Sequence, residues 1–162
     1  CKYGHDTLDG MISITLLKSA LAPDDRREAG LHRFTYALLP HAGDFTVEAV
    51  VREAYALNQP LRALPIKEAT GNETALECCT VDNPNVIVEA VKKAEADDAV
   101  IVRLYEAGGT RGSVAVQFLR PPRKVYECDL MEENDQTAKL QGDTVLFEAR
   151  PFEIRTFKVY FR

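Results

Sequence analysis

The chain has 162 residues, a formal net charge of −5 at pH 7 and a sequence pI near 5.3. A chain of this length can bury roughly two thirds of its unfolded surface, so it needs no disulfides or bound metals to sustain a core. The negative charge argues against nucleic acid or an anionic membrane as the main partner, since both call for a basic surface. No apolar run approaches the roughly 20 residues that cross a bilayer as a helix.

The cysteines and the first residue indicate the setting of the chain. Four cysteines in 162 residues do not suggest a disulfide framework, and the neighbours Cys78 and Cys79 point to opposite faces if they lie in a strand. We therefore expect reduced thiols and a cytoplasmic location. The chain begins at Cys1 without an initiator Met or a signal peptide, which predicts a piece of a longer polypeptide.

The first forty residues predict two strands joined by a surface connection. The polar stretch Cys1–Gly10 predicts a loop that enters a strand over Met11–Lys18, where apolar side chains alternate. Residues 20–30 are rich in charge and predict a connection at the surface. A second strand is predicted over His32–Leu39, and Pro40 ends it.

The apolar period then changes to that of a helix. Apolar residues recur at helical spacing over residues 46–57, and Asp44 or Thr46 can cap the start of a helix of about three turns. From Pro60 to Thr74 this pattern gives way to proline, glycine and asparagine, which predicts a domain boundary. The alternative is a long loop over the surface of a single unit. The two predicted domains are residues 1–65 and 66–162.

Residues 76–162 carry almost only strand signals. About seven short strands are predicted, which is typical of a two-sheet antiparallel sandwich, so the predicted fold class is all-β. The predicted strands are Leu76–Thr80, Val86–Val91, two strands within Ala99–Leu119, Lys124–Leu130, Thr144–Ala149 and Phe152–Phe161.

Three local features of this region lead to specific predictions. The clearest is Ala99–Leu119, where two alternating runs flank Gly108 and Gly109, which predicts a β-hairpin. The apolar parity of the last strand slips by one residue, which predicts a β-bulge or a change of sheet near Arg155 and Thr156. The acidic stretch Met131–Gly142 predicts a mobile loop.

The sequence contains no complete catalytic constellation. His5 beside Asp6, and His41 near Asp44, each lack a second ligand pair at metal-site spacing, so hydrogen bonds at loops or strand ends are the preferred interpretation. The acidic runs Glu132–Asp135 and Asp97–Asp98 are interpreted as solvated surface. Cys78 and Cys79 lack the two-residue gap of a zinc or redox pair, so they are interpreted as buried filler. Judged from its residues, the chain is a structural or binding protein.

Four strings of residues carry a resemblance to a known family. They are CKYGHD at Cys1–Asp6, FTYALLPHAGD at Phe34–Asp44, NPNVIVEAVKKA at Asn83–Ala94 and VRLYE at Val102–Glu106. Through them the chain resembles the C-terminal part of a glycoside hydrolase family 38 α-mannosidase, of the long cytoplasmic type of bacteria and fungi. The resemblance spans most of the 162 residues.

The resemblance implies a division of labour within a longer enzyme. In the family, an N-terminal α/β barrel-like domain binds zinc through His and Asp ligands. The same domain carries an Asp nucleophile and an acid/base carboxylate, and it hydrolyses terminal α-mannosides with retention. None of these groups maps onto this chain. The resemblance therefore implies that the chain contains no catalytic residue and no metal ligand, and the chain alone is expected to be inactive. The implied partners are the catalytic domain of the same polypeptide and a mannoside substrate, in an enzyme that forms homo-oligomers.

The resemblance also refines the predicted architecture. Residues 1–65 would be the C-terminal part of the large mannosidase β-sandwich, with one short helix near 46–57. Residues 66–162 would be a smaller, terminal, Ig-like antiparallel β-sandwich.

The β region of the family can lend side chains to the sugar pocket, and we expect such a role in the loop Lys2–Asp6. Tyr3 would stack on the sugar or donate its hydroxyl, and His5 and Asp6 would be hydrogen-bond partners at the rim of the substrate pocket. The alternative is that Gly4 forms a turn and Tyr3 packs at a domain interface.

Two further alternatives concern the later half of the chain. Arg103, Tyr105 and Glu106 form a polar and aromatic cluster in the sequence, for which an inter-domain salt bridge or a packing role is preferred to substrate contact. A stand-alone carbohydrate-binding or oligomerisation module is the competing function. The absence of Trp disfavours sugar stacking.

Overall fold

A computed structural model describes residues 4–19, 22, 29–63, 65 and 77–161. The described residues form two compact units, one within residues 1–40 and one within residues 41–162. The all-β prediction is confirmed, because the described residues form antiparallel strands with one short helical segment. The predicted boundary after Pro65 stays a prediction. Among the described residues, no helix is long and apolar enough to cross a membrane.

The first unit contains a two-stranded hairpin of β1 (His5–Leu8) and β2 (Met11–Ile14). Asp9 and Gly10 turn the chain between them with φ angles of 50° and 77°. Positive φ at both central residues is the requirement of a type I′ turn, for which Asp-Gly is a favoured pair. The predicted loop over Cys1–Gly10 is therefore wrong for β1, because Asp9 and Gly10 form the turn of a hairpin and the residues before them pair with β2.

The predicted strand over His32–Leu39 is wrong. A strand needs a hydrogen-bonded neighbour, and no described residue pairs with this segment. Its alternating apolar side chains are accordingly exposed, with exposed fractions of 47% for Phe34, 69% for Tyr36 and 81% for Leu38. Alternation alone did not decide whether a partner strand was in reach.

The second unit opens with the predicted helix. A π-helical turn over Val47–Val51 leads into α1 (Arg52–Asn58). Thr46 caps the start, since its side-chain oxygen accepts a hydrogen bond of 3.1 Å from the backbone N–H of Ala49. The prediction of one short amphipathic helix here, capped at Asp44 or Thr46, is confirmed with Thr46 as the cap.

The rest of the second unit is a sandwich of two antiparallel sheets. One sheet has the strand order β3-β6-β10-β9 and the other has the order β4-β5-β11-β7-β8. The strands are β3 (Cys79–Val81), β4 (Val86–Lys93), β5 (Val100–Glu106), β6 (Gly112–Phe118), β7 (Pro122–Cys128), β8 (Gln136–Thr137), β9 (Leu140–Gln141), β10 (Thr144–Ala149) and β11 (Ile154–Phe161).

The core lies between the facing sides of the two sheets. The predicted parity of β6 is confirmed, because Val114, Val116 and Phe118 are at most 1% exposed. From the five-stranded sheet, Val102 and Phe157 meet them with the same low exposure. Period-two alternation thus identified the buried face of these strands correctly.

The predicted hairpin within Ala99–Leu119 is wrong. β5 pairs with β4 and β11, whereas β6 pairs with β3 and β10, so the two strands lie in different sheets. The segment from Ala107 to Arg111 is an arch that carries the chain across the sandwich. Both strands still turn the predicted faces toward the core, because an arch brings two such faces opposite each other instead of side by side.

The predicted bulge near Arg155 and Thr156 is also wrong. β11 pairs with β5 in continuous register from Ile154 to Val159, and the irregularities lie instead at Glu89 in β4 and between Tyr160 and Phe161. The parity slip arises because Phe152 precedes the strand in a turn at φ +56°, and because Ile154 lies in the strand but is exposed. From Thr156 to Val159 all residues of β11 are buried, because this central strand is covered on both faces.

The stretch Met131–Gly142, for which a mobile loop is predicted, contains two short strands. It contains β8 and β9, and Glu132 within it is only 8% exposed. The Asp129 carboxylate accepts hydrogen bonds from the backbone N–H groups of Met131 and Glu133, each 2.9 Å long. We call residues 129–135 the strap, because this segment lies over the outer face of the five-stranded sheet.

Candidate functional site

The residues predicted at a sugar pocket are not gathered into one site in the described chain. Tyr3 lies outside the described residues. His5 and Asp6 are adjacent in β1, so their side chains leave opposite faces of the hairpin, and both residues are exposed. Their role at the rim of a substrate pocket stays a prediction.

The potential metal ligands of the described chain are scattered. Within residues 4–19, 22, 29–63, 65 and 77–161, no group of three or more His, Cys, Asp or Glu side chains is arranged to hold a metal ion. His41 and Asp44 both lie in the exposed segment before the helix. The described residues therefore do not fit a zinc ion.

Among the residues that the structure describes, Glu106 accepts the most hydrogen bonds, and it lies at the point where β5 enters the arch. Its carboxylate is 2% exposed and accepts five hydrogen bonds. Oε1 accepts from the backbone N–H groups of Gly108 and Thr110, each at 3.0 Å, and from the Thr110 hydroxyl at 2.8 Å. Oε2 accepts from Gly109 N–H at 2.8 Å and from Phe152 N–H at 3.0 Å.

These contacts make Glu106 a fixed internal anion. Burial by itself would raise the pKa of Glu106, but the hydrogen bonds from Phe152 and Thr110 outweigh it, so the pKa lies below its ordinary value. Both carboxylate oxygens are already occupied by donors, so this group is poorly placed to take a proton from a substrate. Its role is structural, because its hydrogen bonds join the arch to the turn between β10 and β11.

The predicted cluster of Arg103, Tyr105 and Glu106 is divided between two faces of the sheet. Glu106 shares the inner parity of β5, whereas Arg103 and Tyr105 share the outer parity. Arg103 donates from Nε to the Thr156 hydroxyl at 3.2 Å and from Nη2 to the backbone carbonyl of Leu130 at 3.1 Å. Arg103 therefore holds one end of the strap against the sheet.

Lys158 is the centre of a polar network on the outer face of the five-stranded sheet. Its ammonium is almost completely buried and donates to the backbone carbonyl of Glu132 at 2.8 Å and to the Asp135 carboxylate, whose nearer oxygen is 3.1 Å away. A carboxylate oxygen of Asp97 lies 4.0 Å from it. Burial opposes the charged ammonium, but the hydrogen bond and the charge of Asp135 outweigh it, and the pKa of Lys158 is raised. Lys158 is thus held as a cation.

A second ion pair closes the same network. Lys92 lies 2.7 Å from the buried carboxylate of Glu132, which also accepts a hydrogen bond of 2.8 Å from Glu95 N–H. Tyr160 donates to Asp97 at 2.7 Å, and this bond, with burial, raises the pKa of Tyr160 to about 12. The interpretation of these acidic runs as solvated surface is therefore wrong for Glu132, which is a buried counter-ion.

The helix approaches the outer face of the same sheet through Tyr55. The Tyr55 hydroxyl donates to Glu89 and lies 3.1 Å from the Tyr105 hydroxyl. Glu89 is the extra residue at the irregularity in β4, which turns its side chain toward the helix. Burial and the bond to Glu89 raise the pKa of Tyr55.

An open groove of about 670 Å³ runs between the helix and the edge strands β3 and β4. Cys78 and Cys79 line it and pack against the core. Burial, with a contribution from Cys78, raises the pKa of Cys79 to about 12. This thiol is protonated at neutral pH, so it is a weak nucleophile.

Sequence reasoning named Glu106 only as part of a surface cluster and missed Lys158, although a signal for the burial of each was present. Glu106 continues the buried parity of Val102 and Leu104 and precedes two glycines, and Lys158 stands between the core residues Phe157 and Val159. A charged residue at such a place in a strand indicates either an exposed edge or a buried charge with fixed partners.

Comparison with known proteins agrees with this architecture. Residues 85–157 match the family described as glycosyl hydrolases family 38 C-terminal beta sandwich domain. The chain is 37% identical over 159 residues to human alpha-mannosidase 2C1, covering 95% of the chain and 15% of that protein. It is 35% identical over 161 residues to mouse alpha-mannosidase 2C1, covering 96% of the chain and 15% of that protein.

A more distant organism gives the same result. The chain is 33% identical over 165 residues to alpha-mannosidase G of Dictyostelium discoideum, covering 98% of the chain and 15% of that protein. The chain thus spans about 15% of the length of these curated relatives. The family match extends from the turn before β4 into β11, and it includes Glu106 and the strap, whereas Lys158 lies one residue beyond its end. Residues 85–157 are therefore a C-terminal β-sandwich domain of glycosyl hydrolase family 38, within a chain that is similar to α-mannosidases over nearly its whole length.

Proposed function

We propose that the chain is a non-catalytic C-terminal β region of an α-mannosidase, which supports and packs on the catalytic domain of the same polypeptide. The complete enzyme would hydrolyse terminal α-mannosides in glycans or oligosaccharides with retention. Zinc would be bound by the catalytic domain, and this chain alone would be inactive. The enzyme would act in the cytoplasm, which suits the unpaired Cys78, Cys79 and Cys128.

One observation carries the proposal, namely the exposed apolar surface of the first unit. On the hairpin, Leu8, Met11 and Ile12 are between 63% and 69% exposed, and Leu31 and Leu38 beyond it exceed 80%. A two-stranded hairpin is at best marginally stable alone. Met11 and Ile12 are consecutive in β2, so both faces of this hairpin carry exposed apolar side chains that a packed layer would cover. The curated relatives are several times longer than this chain, and their additional length supports the proposal that such a layer comes from the same polypeptide.

The test is the hydrolysis of p-nitrophenyl α-mannoside with added zinc, by the chain and by the complete polypeptide that contains it. Activity confined to the complete polypeptide is the expected result. Turnover by the chain alone would overturn the proposal, because it would require a catalytic site among its own residues. Replacing Tyr3 by Phe in the complete polypeptide tests the pocket-rim role. Unchanged turnover and affinity would exclude the Tyr3 hydroxyl as a donor at the pocket rim, and the same result with Tyr3→Ala would exclude stacking of its ring.

The alternative is a stand-alone module that binds carbohydrate or self-associates, and the same exposed apolar side chains favour self-association. Sedimentation of the purified chain separates the two proposals. A stoichiometric, concentration-independent oligomer of the chain would favour an oligomerisation module. A monomer, or nonspecific aggregation that ends when the chain is part of the longer polypeptide, agrees with the main proposal. Homo-oligomers of the complete enzyme would then form through surfaces outside this chain.

A further inference from the structure

Phe152 combines a strained backbone with an exposed aromatic side chain. Its backbone lies at φ +56°, a conformation that bulky L residues rarely adopt, and its side chain is 72% exposed. Burial of the ring within the chain therefore does not account for the backbone conformation.

The conformation of Phe152 is nevertheless firmly held. Glu106 Oε2 accepts from both Phe152 N–H and Gly109 N–H, which joins the turn to the arch. The ring lies directly on Gly109, where an added Cβ would be 2.8 Å from the ring tip. Strained backbone that is fixed from several sides is a recurrent property of functional positions.

Other apolar side chains are exposed at the same end of the sandwich. Leu130 is 55% exposed, Met131 is 77% exposed and Ile154 is 52% exposed. β7 and β11 are antiparallel, and Cys128 pairs with Thr156. Leu130, two residues after Cys128, and Ile154, two residues before Thr156, therefore lie at the same end of these neighbouring strands. We call Leu130, Met131, Phe152 and Ile154 the end patch.

Polar groups around Phe152 are already engaged within the chain. The Asn85 side chain donates to the Thr110 hydroxyl at 3.1 Å, and Arg150 lies 3.1 Å from Glu153. A sugar needs polar partners as well as an apolar face, whereas a protein surface can be held by apolar anchors, among which exposed aromatic side chains are prominent. The end patch therefore favours a protein partner.

We infer that the end patch, with Phe152 as its anchor, docks onto the remainder of the α-mannosidase polypeptide, at a second place distinct from the hairpin of the first unit. The inference rests on the proposed function. The occupant is named from the length of the relatives, of which this chain spans about 15%. The glutamate contact presents the Phe152 ring in one fixed orientation, which lowers the entropy lost on docking.

The chain has only two methionines, and one lies on each proposed contact surface. Met11 belongs to the hairpin and is 63% exposed, and Met131 belongs to the end patch. Hydrogen peroxide transfers one oxygen atom to a methionine sulfur, which yields the sulfoxide and water, at a rate that follows exposure of the sulfur. Mass spectrometry of the two methionine peptides, in the chain and in the complete polypeptide, therefore reads the two surfaces separately.

The expected result is at least five-fold slower oxidation of both methionines in the complete polypeptide. Protection of Met11 alone would overturn the end-patch inference and leave the proposed function in place. Oxidation of both at the rates of the isolated chain would overturn both. Protection of Met131 alone would support the end-patch inference. It would also show that the hairpin of the first unit is not covered in the complete polypeptide, which contradicts the argument for the proposed function.

The role of Phe152 itself is tested with Phe152→Gly. Glycine adopts positive φ without a steric penalty, so the thermal midpoint of the isolated chain should be unchanged or higher. In the complete polypeptide, the same change should restore at least half of the lost Met131 oxidation rate. Leu119→Ala is the matched control, because Leu119 is 50% exposed and lies at the opposite end of β6. Equal protection of Met131 in the Phe152→Gly and Leu119→Ala polypeptides would exclude Phe152 as the anchor.

Discussion

Replacing Glu106 by glutamine preserves the shape of the side chain but turns one of its two acceptors into a donor. With the amide nitrogen at the position of Oε2, it would face the N–H groups of Gly109 and Phe152. Each buried N–H left without an acceptor costs about 1–3 kcal/mol, so the two together predict a loss of about 2–6 kcal/mol. Native domains have a free energy of unfolding of about 5–15 kcal/mol, so this single change is a large fraction of the total.

The assay is urea unfolding at pH 7, followed by the far-ultraviolet circular dichroism of the sandwich. Glu148→Gln is the matched control, because Glu148 is exposed and its carboxylate accepts from the Ser113 hydroxyl. We expect the control to change the free energy of unfolding by less than about 0.5 kcal/mol. If Glu106→Gln lost no more than Glu148→Gln, the claim that the carboxylate organises the arch would be refuted.

The pH dependence of the free energy of unfolding, compared between the native chain and Glu106→Gln, tests the charge of Glu106. Its pKa is lowered in the folded chain, so its contribution is complete above the unfolded value of about 4.3 and is lost as pH falls through the folded value. The stability difference between the native chain and Glu106→Gln should therefore narrow in acid. A difference that stays constant from pH 7 to pH 3 would contradict the assignment of the effect to the ionised carboxylate.

Three further substitutions test other contacts by the same unfolding measurement. Lys158→Met should lower the free energy of unfolding by about 2–3 kcal/mol, because it leaves the Glu132 carbonyl and the Asp135 carboxylate without their donor. A loss below about 0.5 kcal/mol would show that other contacts hold the strap. Tyr55→Phe should cost about 1 kcal/mol through the lost bond to Glu89, whereas the exposed Tyr36→Phe should change nothing. Phe157→Ala should cost about 3–5 kcal/mol by leaving a cavity, and a smaller loss would mean that the sheets close over it.

The positions of the strands were largely predictable because alternation is a local property. β10 was predicted at Thr144–Ala149, as it occurs, and the ends of β4 and β11 were placed within two residues. The helix was predictable because its apolar period and the Thr46 cap lie within one short window. Each of these signals depends on neighbours in the chain.

The errors share one physical cause. Parity states which face of a strand is buried but not which strand lies beside it, so Gly108 and Gly109 suited a hairpin as well as an arch. His32–Leu39 alternates as a strand should but is not paired with another strand among the described residues. Alternation was a sound guide to burial only where a partner strand was present.

The partners of Glu106 and Lys158 could not be foreseen for a related reason. Lys158 meets Asp135 across 23 positions, and Glu106 meets Phe152 across 46. Carboxylates in the acidic strap looked solvated because nothing nearby in sequence could bury them. Burial of a charge depends on whether distant donors converge on it, and no local window contains that information.

The sequence by itself determined the all-β class, the buried faces of the main strands, the capped helix and, through four short strings, the family. These depend on the local period and on the identity of consecutive residues. Only the tertiary structure decided that β5 and β6 lie in opposite sheets, that Glu106 and Lys158 are buried with their partners, and that Phe152 is presented at positive φ. Those features arise from contacts between distant segments, whose free energy exists only once the two sheets have packed together.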